Sequence, residues 1–174
     1  MQTKEFLDLV WSDQGYYCVV SKDQHNNVSP VFLNSIDEIL AKALTFNKNN
    51  LDIYFTCSTW VENTDRKAKN AKEQKIFWLD IDCGYDTKKR KWKDYRTKEE
   101  AMVALRNFTD VTKLPAPLIV DSGNGMHCYW PFTDPVASEV WKPIAQGLKF
   151  LCVKHGFKSD SVCTSDISRI LRLP

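Results

Sequence analysis

Two aspartates interrupt the apolar stretch IFWLDIDCG, at positions 80 and 82. The residues around them suit a buried β-strand. Side chains alternate faces along a strand, so Asp80 and Asp82 point the same way. Like charges that close repel and resist desolvation. Either a cation sits between them, or the strand ends here and water solvates both, since Cys83-Gly84 reads as a turn. Paired carboxylates on a hydrophobic strand suit divalent metal. Mg²⁺ takes oxygen ligands in octahedral geometry and commonly shares them with substrate phosphates. Two such ions, about 3.5–4 Å apart, can clamp the attacking and leaving oxygens of a phosphoryl transfer.

A second stretch, VDSGNGMHCYWPF, adds phosphate-binding chemistry. Gly123 and Gly125 allow positive φ and close approach of a ligand to the backbone. Ser122, with the successive amides of Gly123, Asn124 and Gly125, could form an anion-binding concavity. His127 would project beside that turn, positioned to donate to a phosphate oxygen. Alternation sets His127 and Tyr129 on one face and Met126, Cys128 and Trp130 on the other. A plain hairpin with a polar histidine is the alternative. The third stretch, SDSVCTSDISRILRLP, places Asp160 and Asp166 ahead of Arg169 and Arg172. Arginine presents a fixed fork of donors suited to phosphate. On a regular strand the two arginines face opposite ways, so a surface salt-bridge cluster is the competing reading.

The elements that must position these residues are legible in outline. Strands are expected at Gly15–Ser21, Pro30–Asn34 and Leu51–Thr59, with a turn over Asp23–Ser29. The strand bearing Asp80 follows the polar segment Glu62–Lys75. Further strands are expected at Pro117–Val120, at Met126–Phe132 and in the tail SRILRLP. Ser35, with Glu38 three residues on, opens one amphipathic helix, and Thr97 with Glu100 opens another. A third helix is expected over Ser138–Gly156, with Pro143 marking its first turn and Gly156 its C-cap. Mixed elements joined by hairpin-like connections predict the α+β class.

With 174 residues, 43% hydrophobic and 26% charged, the chain reads as one globular domain over residues 1–174. The N-terminus lacks the layout of a secretory signal and no apolar run could span a bilayer, which predicts a cytoplasmic protein with no membrane partner. Six cysteines are spread without a CxxC pair, which argues against a zinc knuckle or a disulfide framework. The net charge of +2 says little about partners. The run DTKKRKWKDYRTK (86–98) is strongly basic, however, and suits either a solvated loop or contacts to a phosphate backbone.

Taken in order, LDID, SGNGMH and SDSVCTSDISRILRLP resemble the catalytic motifs of the archaeo-eukaryotic primase (AEP) superfamily, particularly phage and plasmid primase-polymerases. The matched positions run from Asp80 to Pro174. The resemblance implies an RRM-like catalytic sheet packed beside a smaller N-terminal α/β unit. It implies Asp80, Asp82 and Asp160 as ligands of two Mg²⁺ or Mn²⁺ ions, with Asp166 as the substitute third ligand. Ser122 through Gly125, with His127, would contact the phosphates of an incoming NTP or dNTP. Arg169 and Arg172 would neutralise triphosphate or hold the strand, with Arg66 and Lys69 as looser candidates. The implied activity is template-directed nucleotidyl transfer on single-stranded DNA. The implied context is the N-terminal part of a longer protein, followed by helical and helicase regions, in a host cytoplasm if phage-encoded. A zinc module has no ligand set here.

Three other classes fit parts of the pattern. A metal-dependent nuclease also needs clustered carboxylates. A silent single-strand binding module could stack bases on Trp78, Trp92 and Tyr95. A replication initiator of related fold needs paired histidines, whereas His25, His127 and His155 lie far apart.

Overall fold

The computed structural model describes Met1–Pro174. The first half holds α1 (Thr3–Val10), β1 (Tyr17–Lys22), β2 (Val28–Leu33), α2 (Ile36–Lys48), β3 (Asp52–Thr56), β4 (Ser58–Trp60) and β5 (Ala71–Asp82). Then come β6 (Tyr85–Asp86), β7 (Lys91–Trp92), α3 (Lys98–Thr112), β8 (Leu118–Asp121), β9 (Gly125–Ala137), α4 (Ser138–Lys154) and β10 (Ile170–Arg172). The α+β class expected from the sequence is the one observed. Two compact units divide the chain. One comprises Met1–Ile76, Pro131–Trp141 and Ile167–Pro174; the other comprises Phe77–Trp130 and Lys142–Asp166. The N-terminal unit takes in more of the chain than the small unit expected, because a middle segment and the final strand return to it.

In the N-terminal unit an antiparallel sheet runs in the order β10-β3-β1-β2. Its helix α1 has no counterpart among the expected elements. Only eight residues long and opened by Gln2, a residue type that caps poorly by itself, it is held by Gln2 N–H donating to Glu5 at 2.8 Å and by the buried face of Phe6, Leu7 and Val10. Phe6 meets Phe55 edge-on at 5.4 Å. The single strand expected over Leu51–Thr59 breaks at Cys57 into β3 and β4, where Thr56 Oγ1 donates to the Ser58 carbonyl at 2.9 Å. Strand β5 begins at Ala71, five residues before its apolar centre. Helix α4 starts at Ser138 rather than at Pro143, which lies inside it. Burial of Trp141, whose Nε1 donates to the Ile76 carbonyl at 2.8 Å, holds this early start.

In the second unit the chain runs β5, α3, β8, β9, α4, and the strands lie in the order β5-β9-β8. First beside third with the second outermost is the arrangement of an RRM-like sheet. One face packs on the helices: Leu79, Ile81, Met126, Cys128 and Trp130 share a core with Leu105, Phe108, Leu148 and Phe157. By alternation the opposite face carries Trp78, Asp80 and Asp82 from β5 and His127 and Tyr129 from β9. Thr97 caps α3 by accepting from the Glu100 amide, while Glu100 reaches back to the Arg96 amide. Gly156, at φ +65°, closes α4 as expected.

The connection between β8 and β9 lies against the end of β5. Cys83 N–H donates to the Asn124 carbonyl at 2.9 Å. Gly125 approaches so closely that a Cβ there would sit 2.1 Å from the Ile81 carbonyl oxygen. No side chain fits without separating two backbones. Gly125→Ala should therefore destabilise the fold by at least about 1–3 kcal/mol, as forced overpacking does, read as a lower urea midpoint. A midpoint equal to that of the parent would show that the approach is looser than described.

Candidate active site

The acidic cluster is assembled by backbone as much as by side chains. Asp160 N–H donates to the Asp80 carbonyl at 2.9 Å. From there Asp160 caps the turn that follows: its Oδ1 accepts from the amides of Val162 (2.9 Å) and Cys163 (3.1 Å). Buried Trp78, on the same face of β5 as Asp80, donates Nε1 to the Cys163 carbonyl at 2.9 Å. The turn is thus fastened to β5 at two points. A carboxylate oxygen of Asp80, one of Asp160 and the Cys163 Sγ all lie within 4.8 Å of one another. This tight group contains Asp160 but neither Asp82 nor Asp166, whose amide bonds the Cys163 carbonyl at the far end of the turn. Cys163 is a member that the sequence motifs do not point to. Three residues past Asp160, it reads in sequence as one more buried apolar position.

Each aspartate of the DxD pair has its own partner. Asp80 Oδ1 lies 3.6 Å from Nε2 of the buried His127. Asp82 Oδ1 is 2.7 Å from Lys93 Nζ. Tyr129 OH lies 3.2 Å from His127 Nδ1, and by donating there it would leave the ring proton on Nε2, facing Asp80. Negative charge still accumulates. The Asp94 carboxyl is pushed above the usual carboxylate range, first by burial, then by the charge of Asp82 and, more weakly, of Asp160. Burial and the nearby Asp80 push the Cys128 thiol up to about 12. Hard carboxylate oxygens converging under mutual repulsion are a donor set that fits Mg²⁺ or Mn²⁺. The sulfur of Cys163 suits softer ions.

The SGNG turn differs from the expected anion nest. Ser122 N–H donates to the Gly125 carbonyl at 3.1 Å, and Gly123 N–H donates to Asp121 Oδ1 at 2.7 Å. Lys98 Nζ in turn lies 2.7 Å from Asp121. These two amides hold the turn itself, and Gly123 adopts φ +92° to allow it. The arginines fall in the other unit. Arg172 pairs with Asp52 at 2.9 Å and stacks over Tyr54, the salt-bridge reading. Arg66 Nη1 reaches the Ser168 carbonyl at 3.4 Å. Arg169 and Lys69 also belong to that unit. Of the three aromatics considered for base stacking, Trp78 and Tyr95 are buried and Trp92 is half exposed.

No protein-family model matches the chain, and no curated protein matches it in sequence. Solved structures do. The AEP domain of the cyanophage S-2L primase-polymerase superposes with a TM-score of 0.61 at 18% identity, covering 99% of this chain and 80% of that one. The primase RepB′ superposes at 0.56 with 14% identity, again over 99% of this chain but about half (49%) of its own. The fold is that of an AEP primase core. In the AEP fold of this chain, the DxD strand, the SGNGMH hairpin and the Asp160 turn all belong to the second unit.

Asp94 supplies a test of the charge accumulation. Its raised folded-state pKa means that folding disfavours the carboxylate. The penalty is absent in acid, grows as pH rises past the ordinary carboxylate range, and is complete above the raised value. Asp94→Asn should thus raise the melting temperature at pH 7–8, with the gain shrinking toward pH 4. A gain independent of pH would place its origin elsewhere.

Proposed function

We propose that the protein is a template-directed nucleotidyltransferase that makes or extends primers on single-stranded DNA from NTP or dNTP substrates. The observation that carries this reading is the meeting of Asp80 and Asp160, brought together by a backbone hydrogen bond and flanked by His127. The AEP fold supports it, and so does the likeness to the cyanophage protein, a primase-polymerase.

Asp80, Asp82 and Asp160 would hold divalent cations. Such ions, when bound, neutralise phosphate charge and lower the pKa of an attacking 3′-hydroxyl. The chain's own residues do the positioning. Asp160 and Trp78 both fasten the turn that follows Asp160. Asp82, paired with Lys93 in the free protein, would contribute its carboxylate to such an ion. His127, oriented by Tyr129, offers the Nε2 proton to a phosphate oxygen as charge develops on it. Ser122, on the turn next to β9, would offer its hydroxyl to the same phosphates.

Primer synthesis and primer extension on single-stranded DNA test the assignments. Asp80→Ala and Asp160→Asn should each abolish turnover. Asp166→Asn should leave it near the parent level, and activity lost there but kept in Asp160→Asn would reverse the ligand choice. His127→Ala should lower the rate roughly 10²–10³-fold, the cost of one missing donor to developing charge.

A further inference from the structure

The sequence run 86–98 does not form an open loop. Tyr85–Asp86 and Lys91–Trp92 pair as a small hairpin, Tyr85 opposite Trp92. Asp86 Oδ1 closes its tip by accepting from the amides of Lys88 and Lys89, and Arg90 takes φ +52° there. The base of the hairpin is tied to the end of the DxD strand. Gly84 N–H donates to the Tyr95 carbonyl (2.9 Å), Lys93 N–H to Gly84 (3.0 Å) and Tyr95 N–H to Asp82 (3.2 Å). Tyr95 is buried, and its hydroxyl accepts from the Lys158 amide at 3.1 Å.

Between this hairpin and Lys158 lies a groove of about 330 Å³, with Asp82 on its wall. Lys89, Lys91, Lys93 and Lys158 line it together with Trp92, Asp86 and Asp94; Lys93 is already paired with Asp82. Trp92 is 51% exposed and Tyr85 49%. Their rings meet edge-on at 5.2 Å, and Arg96 lies 5.4 Å over Trp92. The pair stands at the surface among lysines, with Arg96 over one of its rings. Lysines tracking a backbone beside an exposed aromatic are the features by which proteins hold single strands without reading sequence.

We propose that this groove holds a segment of single-stranded nucleic acid next to the Asp82 carboxylate, its phosphates against Lys89, Lys91 and Lys158 and one base on Trp92. This rests on the nucleotidyltransferase reading for the strand's purpose, but not for its chemistry. Phosphate could also come from the triphosphate of a nucleotide, and the exposed Trp92 beside the lysines favours a strand.

The test is fluorescence anisotropy with a labelled oligo-dT over a range of salt, using the chain, Lys89→Ala/Lys91→Ala and Trp92→Ala. All three positions are exposed, so the variants should melt as the parent does. The double lysine variant should bind more weakly, with its salt slope smaller by about 1.4, at about 0.7 per phosphate contact on a single strand. Trp92→Ala should lose roughly 5- to 150-fold in affinity with the slope unchanged, the range for one stacked base. Manganese-dependent triphosphate binding, measured in parallel, should be the same in all three proteins. Unchanged oligonucleotide affinity and slope in both variants would overturn the proposal, whatever the triphosphate result. Loss of triphosphate binding with oligonucleotide binding intact would assign the groove to the nucleotide instead. Absence of triphosphate binding in every protein, the parent included, alongside the predicted oligonucleotide losses would sink the nucleotidyltransferase reading and leave the groove standing.

Discussion

The structure of the second unit depends on one constraint: carboxylates that repel one another are held close by bonds that do not involve their charges. Asp160 is placed by its amide on the Asp80 carbonyl, and its turn by Trp78 on the Cys163 carbonyl. Hydrogen bonds of this kind contribute only about 0.5–1.5 kcal/mol each to net stability. Leaving their buried partners unpaired would cost more, which is what makes the arrangement persistent. The side chains answer the repulsion locally, Lys93 on Asp82 and His127 beside Asp80. If the proposed cation site is right, Asp82 would have to give up its pairing with Lys93 to join it.

The division of labour between the faces of the RRM-like sheet follows from strand alternation. Leu79 and Ile81 give one face of β5 to the helices, so Trp78, Asp80 and Asp82 are left for the other. On β9, Met126, Cys128 and Trp130 enter the same core and leave His127 and Tyr129 to face the acids. A one-residue slip in either strand would bury the carboxylates and expose the core. The Gly125 contact with the Ile81 carbonyl pins the register of the turn against the end of β5.

That alternation was legible in the sequence, and with it the partition of IFWLDID and MHCYWPF into inward and outward positions. So were the helix starts at Ser35 and Thr97 and the Gly156 cap. Less legible was whatever depends on contacts distant in the chain. Helix α1 opens on a residue type that caps poorly by itself and is held by Phe55, far along the sequence. Lys93 and Asp94 sit in a run whose composition suits either a solvated loop or contacts to a phosphate backbone, and only the hairpin's attachment to the DxD strand places them beside Asp82. The SGNG amides looked available for an anion because sequence spacing cannot show that Asp121 and Gly125 engage two of them. Arg172, which the motif order offers to a phosphate, pairs with Asp52, on a strand separated from it by most of the chain.

The measurement that bears most directly on the carboxylate site is calorimetric titration of dATP and ATP into the protein with Mn²⁺, without it, and in Asp80→Ala. Triphosphate binding that requires both the metal and Asp80 is the result expected of a site built on converging carboxylates. Binding of equal strength without metal, or undiminished in a folded Asp80→Ala protein, would contradict it.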